Sequence, residues 1–404
     1  MFKLKSSQSL YFLISYILNS MNNWVFKFIA PLVLYSETKS LQMMTISYGL
    51  LFTPNIIAPP VANLLENRLA KKASLLILNL IGLLLCLFSY TYFEINFNNL
   101  VFFMVVFLLS SILILYQTII HSTLKEILPH KEDMEEMSRK IAFVDSLFPA
   151  IGPIIGATIL SYLGYSNVFI IIGVIYVVSM FILTKINIGL RVKTTGEHFI
   201  LKTIKGFKLI KDNLFVNYLL RRFFFSNIAL HGFQSILTYF LIERFNLTDI
   251  QLGLFFAIST VGLIIGVRIG RIIYKNNVNK WHLISITGII CALCLICIPI
   301  ANNIYIASIA WSVVMLLSAI NLIVFYTERQ THYHQDEVVS VISASYMIIY
   351  SAIPFGSAVS YILSRYMQSN DAMITLGTYL LIVSIYFLYE ALRSTKIKDE
   401  IDVS

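Results

Sequence analysis

Charge is what this sequence has least of. Only 13% of its 404 residues are charged, while 58% are apolar; a soluble domain carries about a quarter charged and about half apolar residues. A water-soluble fold is thereby excluded, and a chain that crosses a membrane many times is implied. Cysteine is scarce as well, and four residues support no disulfide framework. Cys291, Cys294 and Cys297 share an iron–sulfur-like spacing, but they lie in the apolar run ISITGIICALCLICIPI and no fourth ligand follows. They read as small buried hydrophobes. His332, Tyr333, His334, Asp336 and Glu337 offer metal-ligand types in a short turn without a zinc spacing, so no metal is expected. A Walker A loop, a nucleophile elbow and paired acids at one membrane depth are also missing. The chain is therefore not expected to be an enzyme, to be driven by its own ATP hydrolysis or to need a cofactor. Nor is a cleavable leader expected, because the apolar run after Lys3 and Lys5 continues to about Leu34 with no small-x-small exit.

What is present is a series of apolar runs of about twenty residues, each long enough to span a bilayer. Twelve are expected, near 9–35, 41–65, 73–93, 100–122, 140–163, 166–187, 215–243, 250–273, 282–301, 304–326, 338–363 and 371–392. The basic residues fall mainly in alternate connections: Arg68, Lys71 and Lys72, then Lys125, Lys131, Arg139 and Lys140, then Lys185 to Lys211, then Arg271, Lys275, Lys280, Arg329 and Arg393. The other side holds Lys39, Arg244 and Arg365. The positive-inside rule then places both termini in the cytoplasm. This asymmetry accounts for the net charge of +9 without a nucleic-acid partner.

The connection 188–214 divides the spans six and six, which predicts an N-terminal bundle over 1–187 and a C-terminal bundle over 215–404. Residues 204 positions apart match: Gly49-Leu50-Leu51-Phe52 with Gly253-Leu254-Phe255-Phe256, His130-Lys131-Glu132-Asp133 with His334-Gln335-Asp336-Glu337, and Gly152 with Gly356. The expectation is a duplicated six-helix unit.

The stretch SLFPAIGPIIGATIL, residues 146–160, sets Pro149, Gly152, Pro153, Gly156 and Ala157 within nine residues of an apolar run. A soluble helix rarely tolerates two interior prolines; in lipid, neighbouring helices satisfy the freed backbone and small residues admit close crossings. The order G-P-x-x-G-A resembles the antiporter motif in helix 5 of major facilitator superfamily exporters, with Phe148 where that pattern has a further glycine. The run NSMNNWVFKFIAPLVLYSETKSLQMMTISYGLL is similar to the first helix and its exit in the branch of macrolide efflux proteins and the enterobactin exporter. ENRLAKK (Glu66, Arg68, Lys71, Lys72) stands at the superfamily's cytoplasmic gating loop, without its usual acid. GLIIGVRIGRIIYK, residues 262–275, holds the equivalent place in the second half.

The resemblance implies an all-α integral membrane protein of twelve transmembrane helices, with helices 1, 4, 7 and 10 around a central cavity and rocker-switch alternating access. Polar stripes at helical spacing fit that set: Asn19, Asn23 and Lys27; Gln117 and His121; Asn227, His231, Gln234 and Thr238; Trp311, Ser318 and Asn321. Asn19, Ser318 and Asn321 serve equally well as bonds between helices. Lys27 lies deep in its span, where a charge usually faces a cavity, or it snorkels outward. Asp145 and His231 are the proton-coupling candidates, although Asp145 could instead pair with Arg139 or Lys140. Arg221 and Arg222 are expected at headgroup level.

The expected function is secondary efflux of a small organic molecule, siderophore-like or macrolide-type, by proton antiport. The expected setting is the bacterial inner membrane, with lipid, substrate and protons as the only partners and a monomer as the working unit. Uptake by the same fold, and a membrane sensor or scaffold that transports nothing, are the alternatives.

Overall fold

The computed structural model describes residues 7–128, 131–188, 199–275 and 278–402. Lys3, Lys5, His130, Arg191 and Lys193 lie outside the described residues, as do the side chains of Lys125, Lys131, Lys202, Lys275, Gln335 and Asp336. Among the described residues every regular element is a helix: α1 (Ser7–Thr38), α2 (Leu41–Phe52), α3 (Pro54–Arg68), α4 (Lys71–Ile95), α5 (Asn99–Ser122), the single turn α6 (Leu124–Ile127), α7 (Lys131–Thr184), α8 (Phe199–Asp212), α9 (Leu214–Phe245), α10 (Asp249–Lys275), α11 (Lys280–Ile300), α12 (Ile304–Thr331), α13 (Gln335–Tyr366) and α14 (Ser369–Asp402). In hydrocarbon a helix satisfies its backbone groups internally, which open strands cannot do.

Nine described segments are long and apolar enough to cross a membrane, with α7 supplying two of them, Glu132–Tyr165 and Asn167–Thr184. The other three of the twelve expected spans are α1, the α2–α3 pair and α9. These are the segments whose Asn, Ser, Pro and Arg content dilutes the apolar average.

Three details depart from the expectation. The second span is two helices, because Pro54 has no N–H to continue the ladder and Thr53 is left as a turn. The fifth and sixth spans run almost continuously as α7 and are separated only at Gly164, whose φ of +75° is costly for any residue with a Cβ. The connection 188–214 is not all loop, since α8 occupies 199–212 and only Asn213 separates it from α9.

The chain divides into two compact units. One comprises Met1–Lys39, Leu50–Phe199 and Asp249–Leu254; the other comprises Ser40–Gly49, Ile200–Thr248 and Phe255–Ser404. In the first, α1 packs on α7 and α5, and α4 packs on α7. A buried polar chain crosses it: Ser15 Oγ to Tyr116 Oη (2.5 Å), Tyr116 Oη to Ser179 Oγ (3.3 Å), and Asn79 Nδ2 donating to Ser179 Oγ (3.0 Å). These bonds tie α1, α5, α7 and α4 together where lipid offers no partner. In the second unit α9 packs on α13 and α14, and α11 on α14 and α12, so the pairing of the first unit is repeated. Large side chains such as Leu84, Phe181, Ile309 and Ile382 stay more than half exposed on outward faces, as lipid contact requires.

Within the second unit Gly262, Gly266 and Gly270 lie against the backbone of α12 at Ser312, Leu316 and Ile320. A Cβ at Gly266 would collide with the Leu316 carbonyl oxygen, whereas one at Gly173 would meet Leu83 Cδ1 and Cys86 Cβ at an ordinary 3.4 and 3.6 Å. Gly266→Ala is therefore expected to destabilise the folded chain by about 1–3 kcal/mol, and Gly173→Ala to be near neutral. Thermal unfolding of the two purified variants in the same detergent checks this, and equal midpoints would refute it.

Candidate functional site

One helix pair organises the first unit. A Cβ on Gly152 would stand 2.6 Å from Trp24 Cβ, and one on Gly156 2.8 Å from Phe28 Cδ1, so the two glycines let α7 lie directly on α1. Seven residues before Gly152, Asp145 Oδ1 accepts a hydrogen bond from Tyr16 Oη at 2.6 Å. The contacts 16 with 145, 24 with 152 and 28 with 156 advance together, so α1 and the first limb of α7 run parallel along one seam. Pro153 and Ala157 face another way, toward Gly253 in the short α10 segment of this unit.

Tyr16, fully buried, is the hub of a polar cluster. Its hydroxyl donates to Asp145, receives Gln117 Nε2 at 3.2 Å, and lies 3.1 Å from His121 Nε2. The His121 ring meets the phenol edge-on at 5.1 Å. A phenol has one proton and two lone pairs. With its proton on Asp145 and Gln117 donating, the remaining lone pair fits His121 in the Nε2–H tautomer. Asp145 and His121 themselves are exposed. Lys140 does not join them, being paired with Glu136 at 2.7 Å.

Further along α1, Asn19 and Asn23 are buried, with Asn19 Nδ2 reaching the Leu113 carbonyl at 3.4 Å and Asn23 Oδ1 lacking a hydrogen-bond partner. Lys27 is half-buried, its Nζ 5.1 Å from the Trp24 ring centre and 4.6 Å from that of Phe52. Among the described residues no carboxylate forms an ion pair with it. Aromatic faces hold the ammonium through the ring quadrupole and leave its charge unneutralised. The loop 66–72 is tied within the same unit: Ser122 Oγ donates to Glu66 Oε1 at 2.5 Å, Lys71 Nζ reaches Glu126 at 2.6 Å, and Lys72 Nζ reaches the Ile186 carbonyl at 2.8 Å. Arg68 is exposed.

In the second unit Asn227, His231, Gln234 and Thr238 share one half-buried face of α9. His231 Nδ1 lies 3.0 Å from the hydroxyl of Tyr48, which belongs to this unit through α2. Two expected members stand elsewhere. Trp311 is 1% exposed and stacked on Phe233 at 5.9 Å, which makes it core. Asn321 is buried and accepts from Thr287 Oγ1 at 2.7 Å, a bond between α12 and α11. Arg222 does not face outward; it is buried and donates Nη2 to the Ile284 carbonyl, in space left by Gly288, while Arg221 pairs with Glu390. Arg329 is buried too, its guanidinium 4.6 Å from the Tyr346 ring and 5.0 Å from Tyr326, with Nη1 donating to Ser345 Oγ at 2.7 Å.

Tyr16 and Tyr48 are the residues missing from the sequence-based set. Tyr16 sits one helical repeat before Asn23 on the same stripe, and extending the stripe backward would have found it. No such signal marks Tyr48, which reaches His231 across a long sequence separation.

The comparisons agree with this architecture. The nucleoside transporter NupG superimposes with a TM-score of 0.76 at 13% identity, covering 95% of this chain and 99% of its own. The POT family transporter PepTSo gives 0.76 at 10% identity, with 98% and 99% covered. A bacterial homologue of the human lysosomal transporter Spinster, inward-facing and unoccupied, gives 0.72 at 11% identity, with 95% and 96% covered. No curated protein matches the sequence. The profile of the Major Facilitator Superfamily matches residues 12–357. With that match and this helical architecture, the chain is a multi-pass membrane transporter and belongs to the Major Facilitator Superfamily.

Proposed function

We propose that the chain is a secondary active exporter of a small organic molecule, coupled to proton antiport and working as a single copy in the bacterial inner membrane with both termini cytoplasmic. The observation that carries this reading is the bonded series Asp145–Tyr16–His121. An exposed carboxylate is joined through a buried phenol to an exposed imidazole, which gives three groups with exchangeable protons inside hydrogen-bond reach. When Asp145 takes a proton it no longer needs the phenol as donor, and Tyr16 is free to turn its proton toward His121 Nε2 once that ring carries its own proton on Nδ1. Protonation thus rewrites the bond that joins α1 to α7 at one end of their shared seam. Such a change can bias the helix pair between two arrangements, which is what coupling requires. Glu66, Lys71 and Lys72 supply breakable ties at the loop, and Gly152, Pro153 and Gly156 keep α7 close to its neighbours throughout.

The substrate reading rests on Lys27. A cation held by Trp24 and Phe52 without a described carboxylate favours a ligand with a negative group beside an apolar or aromatic body. Asn23, one turn before Lys27 on α1, supplies a hydrogen-bonding group. A siderophore-like carboxylate fits this set better than a macrolide-type compound, which would leave the ammonium unused.

The test uses everted vesicles under an imposed pH gradient, with the substrate chosen by comparing metabolites of deletion and wild-type strains. The deletion strain is expected to accumulate the substrate; depletion would replace export with uptake. Asp145→Asn is expected to abolish gradient-driven export while substrate still binds. Gradient-driven export that survives would move coupling away from Asp145 and toward His231. Tyr16→Phe keeps the ring and removes the bridge, so gradient-driven export should fall roughly tenfold to a hundredfold. An unchanged rate would show the bridge to be structural only. Lys27→Gln is expected to weaken export of the anionic substrate about tenfold and spare neutral compounds; a uniform loss across both classes would remove the case for an anion.

A further inference from the structure

The helix α8 has a face that neither the transport reading nor the packing uses. Thr203, Gly206 and Ile210 are buried, and a Cβ on Gly206 would collide with the Ser340 carbonyl, so this side is seated on α13. Tyr333 Oη fastens the far end by donating to the Leu209 carbonyl at 3.2 Å. Burial, with the Glu337 and Asp212 charges nearby, pushes the Tyr333 phenol up to about 12, so the donor keeps its proton across the physiological range. On the other side Ile204 and Phe207 are 57% and 38% exposed, and Lys205, Lys208 and Lys211 are exposed beside them. A purely solvated face would have no reason to carry Ile204 and Phe207, and a packed one would not carry three lysines.

We propose that this face of α8 binds anionic phospholipid in the leaflet on the side of the central connection. An interfacial helix presents apolar groups to the acyl boundary and lysines to the phosphates, and long lysine stems let the ammonium stay at headgroup level. Position supports the same occupant. Asn213 alone links α8 to α9, its side chain capping that helix through Val216 N at 3.0 Å, and the next residue, Leu214, is 83% exposed. The helix is therefore held within a residue of a membrane span. Asp212 is the one exposed acid on its described surface, against three lysines, so the net field is positive. The proposal needs only that the chain spans a membrane, not that it exports or couples to protons.

Native mass spectrometry and thermal unfolding of the full chain in detergent, titrated with phosphatidylglycerol or phosphatidylcholine, test it. Phosphatidylglycerol is expected to be retained and to raise the unfolding midpoint, and phosphatidylcholine to do neither. The triple variant Lys205→Gln, Lys208→Gln, Lys211→Gln should weaken phosphatidylglycerol binding on the order of a hundredfold, whereas the triple Lys→Arg variant should keep it. Phe207→Ser should weaken it severalfold with the charges intact. The midpoint without lipid confirms that each variant folds. Equal retention of phosphatidylglycerol by the Gln variant, or equal binding of both lipids, would overturn the proposal. Displacement of the lipid by millimolar inorganic phosphate would also overturn it, by making the site one for a free anion.

Discussion

The seam between α1 and the first limb of α7 is the interaction on which the first unit depends. Helices in lipid gain little from burying apolar area against each other, so close packing and buried polar bonds decide which faces meet. Gly152 and Gly156 allow the backbone of α7 to approach Trp24 and Phe28, and that approach sets everything else on the seam. It pins the base of Trp24, whose ring carries Lys27 one turn on. It also brings Asp145 within 2.6 Å of Tyr16, two turns back. The small-residue motif and the proton-bearing cluster are thus two stretches of one contact. A shift of α7 along α1 would disturb both together.

The second unit repeats the seam with different chemistry. A Cβ on Gly356 would fall against the Ile228 carbonyl, and Ser360 Oγ donates to the Gly232 carbonyl at 2.8 Å. These residues are 204 positions beyond Gly152, Trp24, Gly156 and Phe28. At the same displacement Asn23 and Lys27 correspond to Asn227 and His231, so a polar stripe occupies equivalent places on α1 and α9. Tyr16 and Asp145 correspond instead to Leu220, in the apolar core of the second unit, and Ile349, packed against that core. The crossing and the stripe recur at this displacement, whereas the equivalent positions of the second unit hold no carboxylate–phenol pair.

How much of this was legible in the sequence follows from what a sequence encodes. Segment length and apolarity mark where a helix lies, so the helical segments could be read directly, nine of the described ones being long and apolar enough to cross a membrane. The proline at 54 and the glycine at 164 were visible, yet their effects depend on whether neighbours let the helix continue, which one residue does not reveal. Rotation about the helix axis is harder still. Trp311 and Asn321 have the residue types of a lined cavity, but the first stacks on Phe233 and the second clamps α11. Arg222 sits at the expected distance from its helix start, but Gly288 on a different helix makes the space that lets it point inward. Partners far apart in sequence, such as Tyr16 with Asp145 or Tyr48 with His231, leave no local trace.

The charges of the second unit are held differently from the polar cluster of the first. A buried ion without compensation is costly, and one that is kept must be bonded in place. Arg329 has aromatic faces and Ser345, Arg222 has the Ile284 carbonyl, and Glu328 has Lys280 at 2.5 Å and His332 at 3.3 Å. In the first unit the arrangement is inverted: the buried group is Tyr16, and the groups at its two sides, Asp145 and His121, are exposed. In the proposed coupling, a change of protonation at either of them is felt, through one phenol, at the seam that positions Trp24 and Lys27. On the proposed reading, this placement lets one half of a duplicated scaffold carry the coupling while the other stays charged but fixed.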